Sequence, residues 1–162
     1  MRRFCLILLS ALVATPVAVA AVRASTDGVL ELRKVNAYSL VIVGSRGSLW
    51  GQMDSGRLVV TDPVLGDGQI YVTGADHTYS KSENVTVYSG KDIHFRVTGG
   101  RYRLGFKGAG IDLTAVGVGT ATMTGDFNAD DAGDYSIDGG GKWLSVGFVQ
   151  KTVTFGVQPV AP

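Results

Sequence analysis

From Val29 to Val157 apolar and polar side chains tend to alternate with a period of two, and no sustained i, i+3, i+4, i+7 apolar pattern interrupts them. Ile93, Phe95 and Val97 are separated by His94 and Arg96; Tyr102, Leu104 and Phe106 are separated by Arg103 and Gly105. A period of two sends neighbouring side chains to opposite faces of an extended chain, so one face can be buried while the other stays wet. Parallel strands would need crossover helices, and none is available, so the strands must pair antiparallel. Glycine supplies 23 of 162 residues, about twice its usual ~7% share. Turn signals recur about every 8–12 residues, the spacing of sandwiches and barrels. The expected fold is all-β: an antiparallel β-sandwich or partly closed β-barrel of about 10–13 short strands. A solenoid would need a fixed repeat, which does not recur.

Two turns follow from local chemistry. Asp54-Ser55-Gly56 suits a three-residue hairpin loop, and Gly99-Gly100 suits a two-residue one. The second fixes a register in which Thr98 faces Arg101, Arg96 faces Arg103 and Phe95 faces Leu104. Ile93, Phe95, Val97, Tyr102, Leu104 and Phe106 then share one face, and a one-residue slip would separate the two sets. The dense glycines between Gly105 and Gly125 point to a bend or corner near residues 116–119.

The N-terminus reads as a targeting segment. Arg2 and Arg3 precede an apolar run from Phe4 to Ala14, Pro16 breaks it, and Ala18-Val19-Ala20 matches a small-residue cleavage signal. The expected organisation is a signal peptide over 1–20 for Sec export, a linker over 21–28, one β domain over 29–157 and a frayed tail over 158–162. The apolar run is too short to span a bilayer comfortably, so no transmembrane span is expected once it is removed. Cys5 is the one cysteine and lies inside that run, which leaves the processed chain without disulfides, thiol catalysis or thiolate metal ligands. Loss of Arg2 and Arg3 lowers the basic residues from 15 to 13 against 14 acidic ones, a balance of −1. Nucleic-acid binding needs a basic surplus and is therefore not expected.

Two constellations could carry chemistry. His94, Arg96, Arg101, Arg103 and Lys107 stand on the outer face of the expected second hairpin. Arg96 opposite Arg103 is repulsive. An anion would relieve it, such as a phosphate, sulfate or carboxylate of an envelope polymer or acidic sugar, and so would Glu83, Asp92 or Asp112. Asp126, Asn128, Asp130 and Asp134 space their oxygens like the start of a calcium loop. Asp131 then stands where that loop needs glycine, and Ile137 where it needs glutamate. A polar turn is the plainer reading, and Ca²⁺ is the one cofactor this leaves open. His77 and His94 lack zinc spacing. Asp54-Ser55-Gly56 lacks the second carboxylate of an aspartic protease. The aromatic residues Trp50, Trp143, Tyr71, Tyr79, Tyr88 and Tyr135 could form a glycan platform, but such residues more often pack the core.

Gly99–Gly125, followed by Gly133-Asp134-Tyr135-Ser136-Ile137, resembles exported β-rich proteins of actinobacteria that carry no assigned activity. The resemblance implies an exported β domain and no catalytic residue. No nucleophile elbow, S-x-x-K pair or Walker loop is present. The expectation is a non-catalytic module of the envelope, periplasm or extracellular space, binding or structural, that contacts anionic polymers or glycans. The alternatives are a carboxylate-dependent glycan hydrolase and a calcium-dependent adhesion module.

Overall fold

A computed structural model describes residues 26–139 and 141–157. The expected leader, its cleavage site, most of the linker and the tail lie outside the described residues. Among the described residues every regular element is a strand: β1 Gly28–Thr61, β2 Gly68–Thr73, β3 His77–Ser82, β4 Val85–Gly99, β5 Tyr102–Gly125, β6 Asp134–Ile137, β7 Leu144–Ser145 and β8 Lys151–Phe155. All pairings are antiparallel and belong to one open sheet. The all-β expectation holds, but the strands are fewer and longer than expected. β1 runs for 34 residues and β5 for 24.

Their length lets them wind. β1 meets β5 along two stretches, residues 28–44 against 102–117 and residues 37–61 against 103–125. Leu113 therefore lies between Leu32 and Gly51, and Phe106 between Leu40 and Leu58. The sheet is a spiral flattened into two halves. One half holds β2, β6, β7, the C-terminal part of β4 and residues 28–33, 47–53 and 111–117. The other holds β3, β8, the N-terminal part of β4 and residues 40–44, 57–61, 102–106 and 119–123. Core side chains from both halves form one cluster, and the rings of Phe95 and Phe106, one from each half, pack 5.0 Å apart.

Glycines set the creases between the halves. Gly90, Gly56 and Gly108 lie side by side on β4, β1 and β5, with φ of 147°, 140° and 154°. Gly47 and Gly117 repeat the arrangement at the opposite crease, with φ of 123° and 143°. This mirror-image extended backbone is open to glycine and strained for other residues. It keeps the ladder paired while changing which side chains face inward. In β1 the buried residues are Leu49 and Met53 before the crease and Leu58 and Val60 after it; in β5 they change from Leu104 and Phe106 to Ile111 and Leu113.

Both expected hairpins are overturned. Asp54-Ser55-Gly56 is no loop, because Ser55 and Gly56 are paired on both sides, to Lys91 and Gly90 of β4 and to Ala109 and Gly108 of β5. β4 and β5 do not pair, because β1 lies between them. Arg96 faces Trp50 and Tyr71, whereas Arg103 faces Thr61 and Val43. Gly99 and Gly100, with φ of 73° and 69°, carry the chain from one half to the other, and Asp67 accepts the Arg101 N–H at 3.0 Å. The inward residues were read correctly all the same: Ile93, Phe95, Val97, Tyr102, Leu104 and Phe106 are all buried.

Tyr102 is buried against Gly44, where a Cβ would overlap its ring. Its hydroxyl has no hydrogen-bond partner among the described residues. Burial pushes the phenol well above its ordinary value of 10.0. The folded chain then keeps this proton while the unfolded chain loses it above about pH 10, so this residue lowers stability as pH rises past that point. Tyr102→Phe is expected to raise stability by about 1 kcal/mol at neutral pH, since it removes an unsatisfied buried hydroxyl without changing the packing. It should also flatten the alkaline loss. Urea melts of both proteins at pH 7 and pH 11 check this, and a destabilised phenylalanine variant would contradict it.

Candidate functional site

The outer face of the first half carries an open groove of about 920 Å³. Register dictates its floor. Arg96, Trp50, Thr114 and Glu31 form one row across β4, the second pass of β1, β5 and the first pass of β1. His94, Gln52 and Asp112 form the next row. These residues share the outward phase of their strands, opposite to Leu49, Met53, Phe95 and Leu113 in the core. Gly51, between Phe95 and Leu113, leaves the strands in close contact, and a Cβ there would lie 2.9 Å from the Leu113 Cα.

Two tryptophans bound the groove. Trp50 rises from its floor and is 45% exposed. Trp143, from the segment before β7, lines the far side, where the Arg33 guanidinium sits 3.8 Å from its ring centre. That cation–π contact holds the indole over the edge of the floor. Strands lie about 4.8 Å apart, so Trp50 and the first pass of β1, which carries Arg33, are separated by roughly 10 Å.

The polar groups of the groove differ in commitment. Asp112 accepts the Lys34 N–H at 3.1 Å, and His94 is 3.2 Å from Asp92 on its own strand. Among the described residues Arg96 makes neither a salt bridge nor a side-chain hydrogen bond, and the same holds for Glu31, Gln52 and Thr114.

The expected anion patch is divided. His94 and Arg96 line the groove. Arg103 and Lys107 lie in and at the edge of the other half, where Arg103 stands opposite Thr61 and Lys107 opposite Arg57, with the Lys107 ammonium 4.8 Å from the Tyr38 ring centre. Arg101 lies in the β4–β5 connection and lines a separate cavity of about 250 Å³ with Tyr102. The crease at Gly108 separates the two groups, so the five residues do not form one site, and the Arg96–Arg103 repulsion does not exist.

At the expected calcium loop, Asp126 Oδ1 accepts both the backbone and side-chain N–H of Asn128, at 3.0 and 3.1 Å. Asp134 lies on β6 and accepts the Ser145 hydroxyl at 3.1 Å. Among the described residues no group of three or more His, Cys, Asp or Glu side chains is placed to hold a metal, and no helix is long and apolar enough to cross a membrane.

The aromatic residues correct a further expectation. Tyr135 is core, but Trp50, Tyr71 and Tyr79 are exposed. Trp50 was readable as outward, because it shares its phase with Ser48 and Gln52. Trp143 follows a glycine-rich stretch with no periodicity, so nothing local placed it at the groove. Glu31, Arg33, Gln52, Asp112 and Thr114 are brought there by strand pairing alone. Compared with known proteins, the chain matches no family model, no curated protein and no solved structure, so the chemistry must come from the groove's own residues.

Proposed function

We propose that this chain is an exported, non-catalytic glycan-binding module of the bacterial envelope or its surroundings, and that the Trp50–Trp143 groove is its binding face. The observation that carries this reading is an exposed indole on a hydrogen-bonded sheet floor, with hydroxyl, amide and charged groups in the same and adjacent rows and a second indole across the groove. Sugars present an apolar ring face and a rim of hydroxyls, which such a surface complements by stacking and by directed hydrogen bonds. Ser48, Gln52 and Thr114 supply neutral donors and acceptors on the same floor. Export is supported by the Arg2–Ala20 pattern.

Affinity electrophoresis of the processed chain against a panel of soluble polysaccharides tests the reading. At least one glycan should retard it, and Trp50→Ala should weaken that binding about tenfold or more, equivalent to about 1.4 kcal/mol. Tyr79→Ala, an exposed aromatic change on β3 in the other half, should leave it unchanged. Equal retardation of the wild type and Trp50→Ala would refute the site.

A hydrolytic reading is favoured by one observation. Glu31 and Asp112 stand diagonally on adjacent strands, a relation that puts such pairs about 7–8 Å apart, close to the separations glycosidases use. New reducing ends released by the wild type, and lost in Glu31→Gln, would convert the binding module into an enzyme.

A further inference from the structure

We infer that the groove selects acidic glycans, with the carboxylate of a uronic-acid unit held by Arg96 while the sugar ring lies on Trp50. This rests on the glycan reading above and specifies its ligand class.

Three observations converge on Arg96. First, its cross-strand neighbours are both aromatic and exposed: Trp50 on β1 and Tyr71 on β2, the latter 56% exposed. The row Tyr71–Arg96–Trp50 spans roughly 10 Å at ordinary strand spacing. Second, the guanidinium has no protein acceptor among the described residues. Most of the nearby acidic groups are engaged or distant: Asp92 is with His94, Asp112 is with the Lys34 N–H, and Glu31 lies two strands beyond Trp50. Third, several other cations among the described residues are committed. Arg46 pairs with Asp27, Arg57 donates to the Tyr79 hydroxyl, Arg33 lies on Trp143, and Lys107 and Lys151 lie near tyrosine rings. Arg101, Arg103, Lys34, Lys81, Lys91 and Lys142 have no carboxylate partner among the described residues, but none of them lines the groove; Arg33 does line it, with its guanidinium against Trp143.

The geometry follows from sugar shape. A pyranose stacked flat on Trp50 projects its equatorial substituents sideways, over the neighbouring strands. On the β4 side that position belongs to Arg96. A hydroxymethyl group there could accept one weak hydrogen bond. A carboxylate matches the guanidinium fork with two parallel, charge-assisted ones. His94, two residues along β4 on the same face, lies beside Arg96 along that side of the groove. Glu31 and Asp112 on the opposite side outnumber Arg33 there, so an acidic unit placed in the reverse direction is disfavoured.

The test uses oligosaccharides built on galacturonate, on mannuronate–guluronate and on glucuronate with N-acetylglucosamine, each beside its own carboxyl-reduced form. Titration is followed calorimetrically. One acidic oligosaccharide should bind at least tenfold tighter than its reduced form, and the preference should shrink as salt is raised. Arg96→Gln should bring the acidic ligand down to about the level of the reduced one, weakening the reduced one far less, while Arg96→Lys should restore the preference only in part. An unchanged melting temperature verifies that these surface variants fold. Trp50-dependent binding with no acid preference, or an acid preference indifferent to Arg96→Gln, overturns the carboxylate assignment and leaves the glycan reading intact. No binding of any glycan overturns both.

Discussion

Gly108→Ala is expected to destabilise the domain by about 4–5 kcal/mol or more, enough to leave a protein of ordinary stability largely unfolded. Two independent effects act at this one position. The backbone φ of 154° lies where L side chains are strained. The added Cβ would also overlap the Ser55 carbonyl and stand 2.8 Å from the Gly56 Cα. Neither contact can relax by rotating a side chain, because both partners are backbone within a ladder. Gly56→Ala should behave alike, for its Cβ would stand 2.7 Å from the Gly108 Cα. Gly105→Ala is the control. It lies in the same strand without a positive φ, and its nearest neighbour is the Val59 Cβ at 3.8 Å. It should change stability by no more than about 0.5 kcal/mol, or raise it slightly. Urea denaturation followed by circular dichroism compares the three, and a Gly108→Ala protein within about 1 kcal/mol of wild type would mean that the crease is drawn in the wrong place.

The second large effect concerns the contact between the two halves of the sheet. Phe95→Ala and Phe106→Ala should each cost about 3–5 kcal/mol, as expected for emptying a ring-sized space in a close-packed interior. Their combination is the sharper measurement. The rings pack 5.0 Å apart with planes tilted by 55°, so each partly loses its partner when the other is cut. The double variant should be less destabilised than the two losses added together, by about 0.5–1.5 kcal/mol. Additive losses would mean that the rings do not meet, and the sheet would not be folded as described.

What the sequence revealed was which side chains face inward, and what it concealed was which strand lies beside which. Alternation of Ile93, Phe95 and Val97 with His94 and Arg96 needs only the local pleat, and those residues face as the period requires. Any antiparallel neighbour of matching phase satisfies the same alternation, so it could not say that Phe95 sits beside Gly51 and Val72 rather than Leu104. Gly99-Gly100 was equally ambiguous: left-handed backbone serves a tight hairpin and a crossover alike, and β1 decides by occupying the place between β4 and β5. The turn-like glycines misled for a related reason. Gly56 has the residue type of a loop, but it works as a crease only because Gly90 and Gly108 lie beside it, far away in sequence. The site inherited these limits. His94 and Arg96 could be placed outward from their phase, and Trp50 from its agreement with Ser48 and Gln52. Their meeting with Glu31, Asp112 and Trp143 depends on a register that no local pattern encodes.

The double passage of β1 along β5 also governs how the chain must acquire its shape. Leu32 finds its neighbour at Leu113 and Gly28 at Gly117, so the first strand to emerge during synthesis has no lasting place until more than half of the domain has followed it. Little of this architecture can form early from short-range contacts, which puts the domain among slow-folding topologies, with times of milliseconds to seconds. Completing the sheet thus waits on pairs such as Gly28 with Gly117, for which the loop-closure entropy is met before the contact repays it.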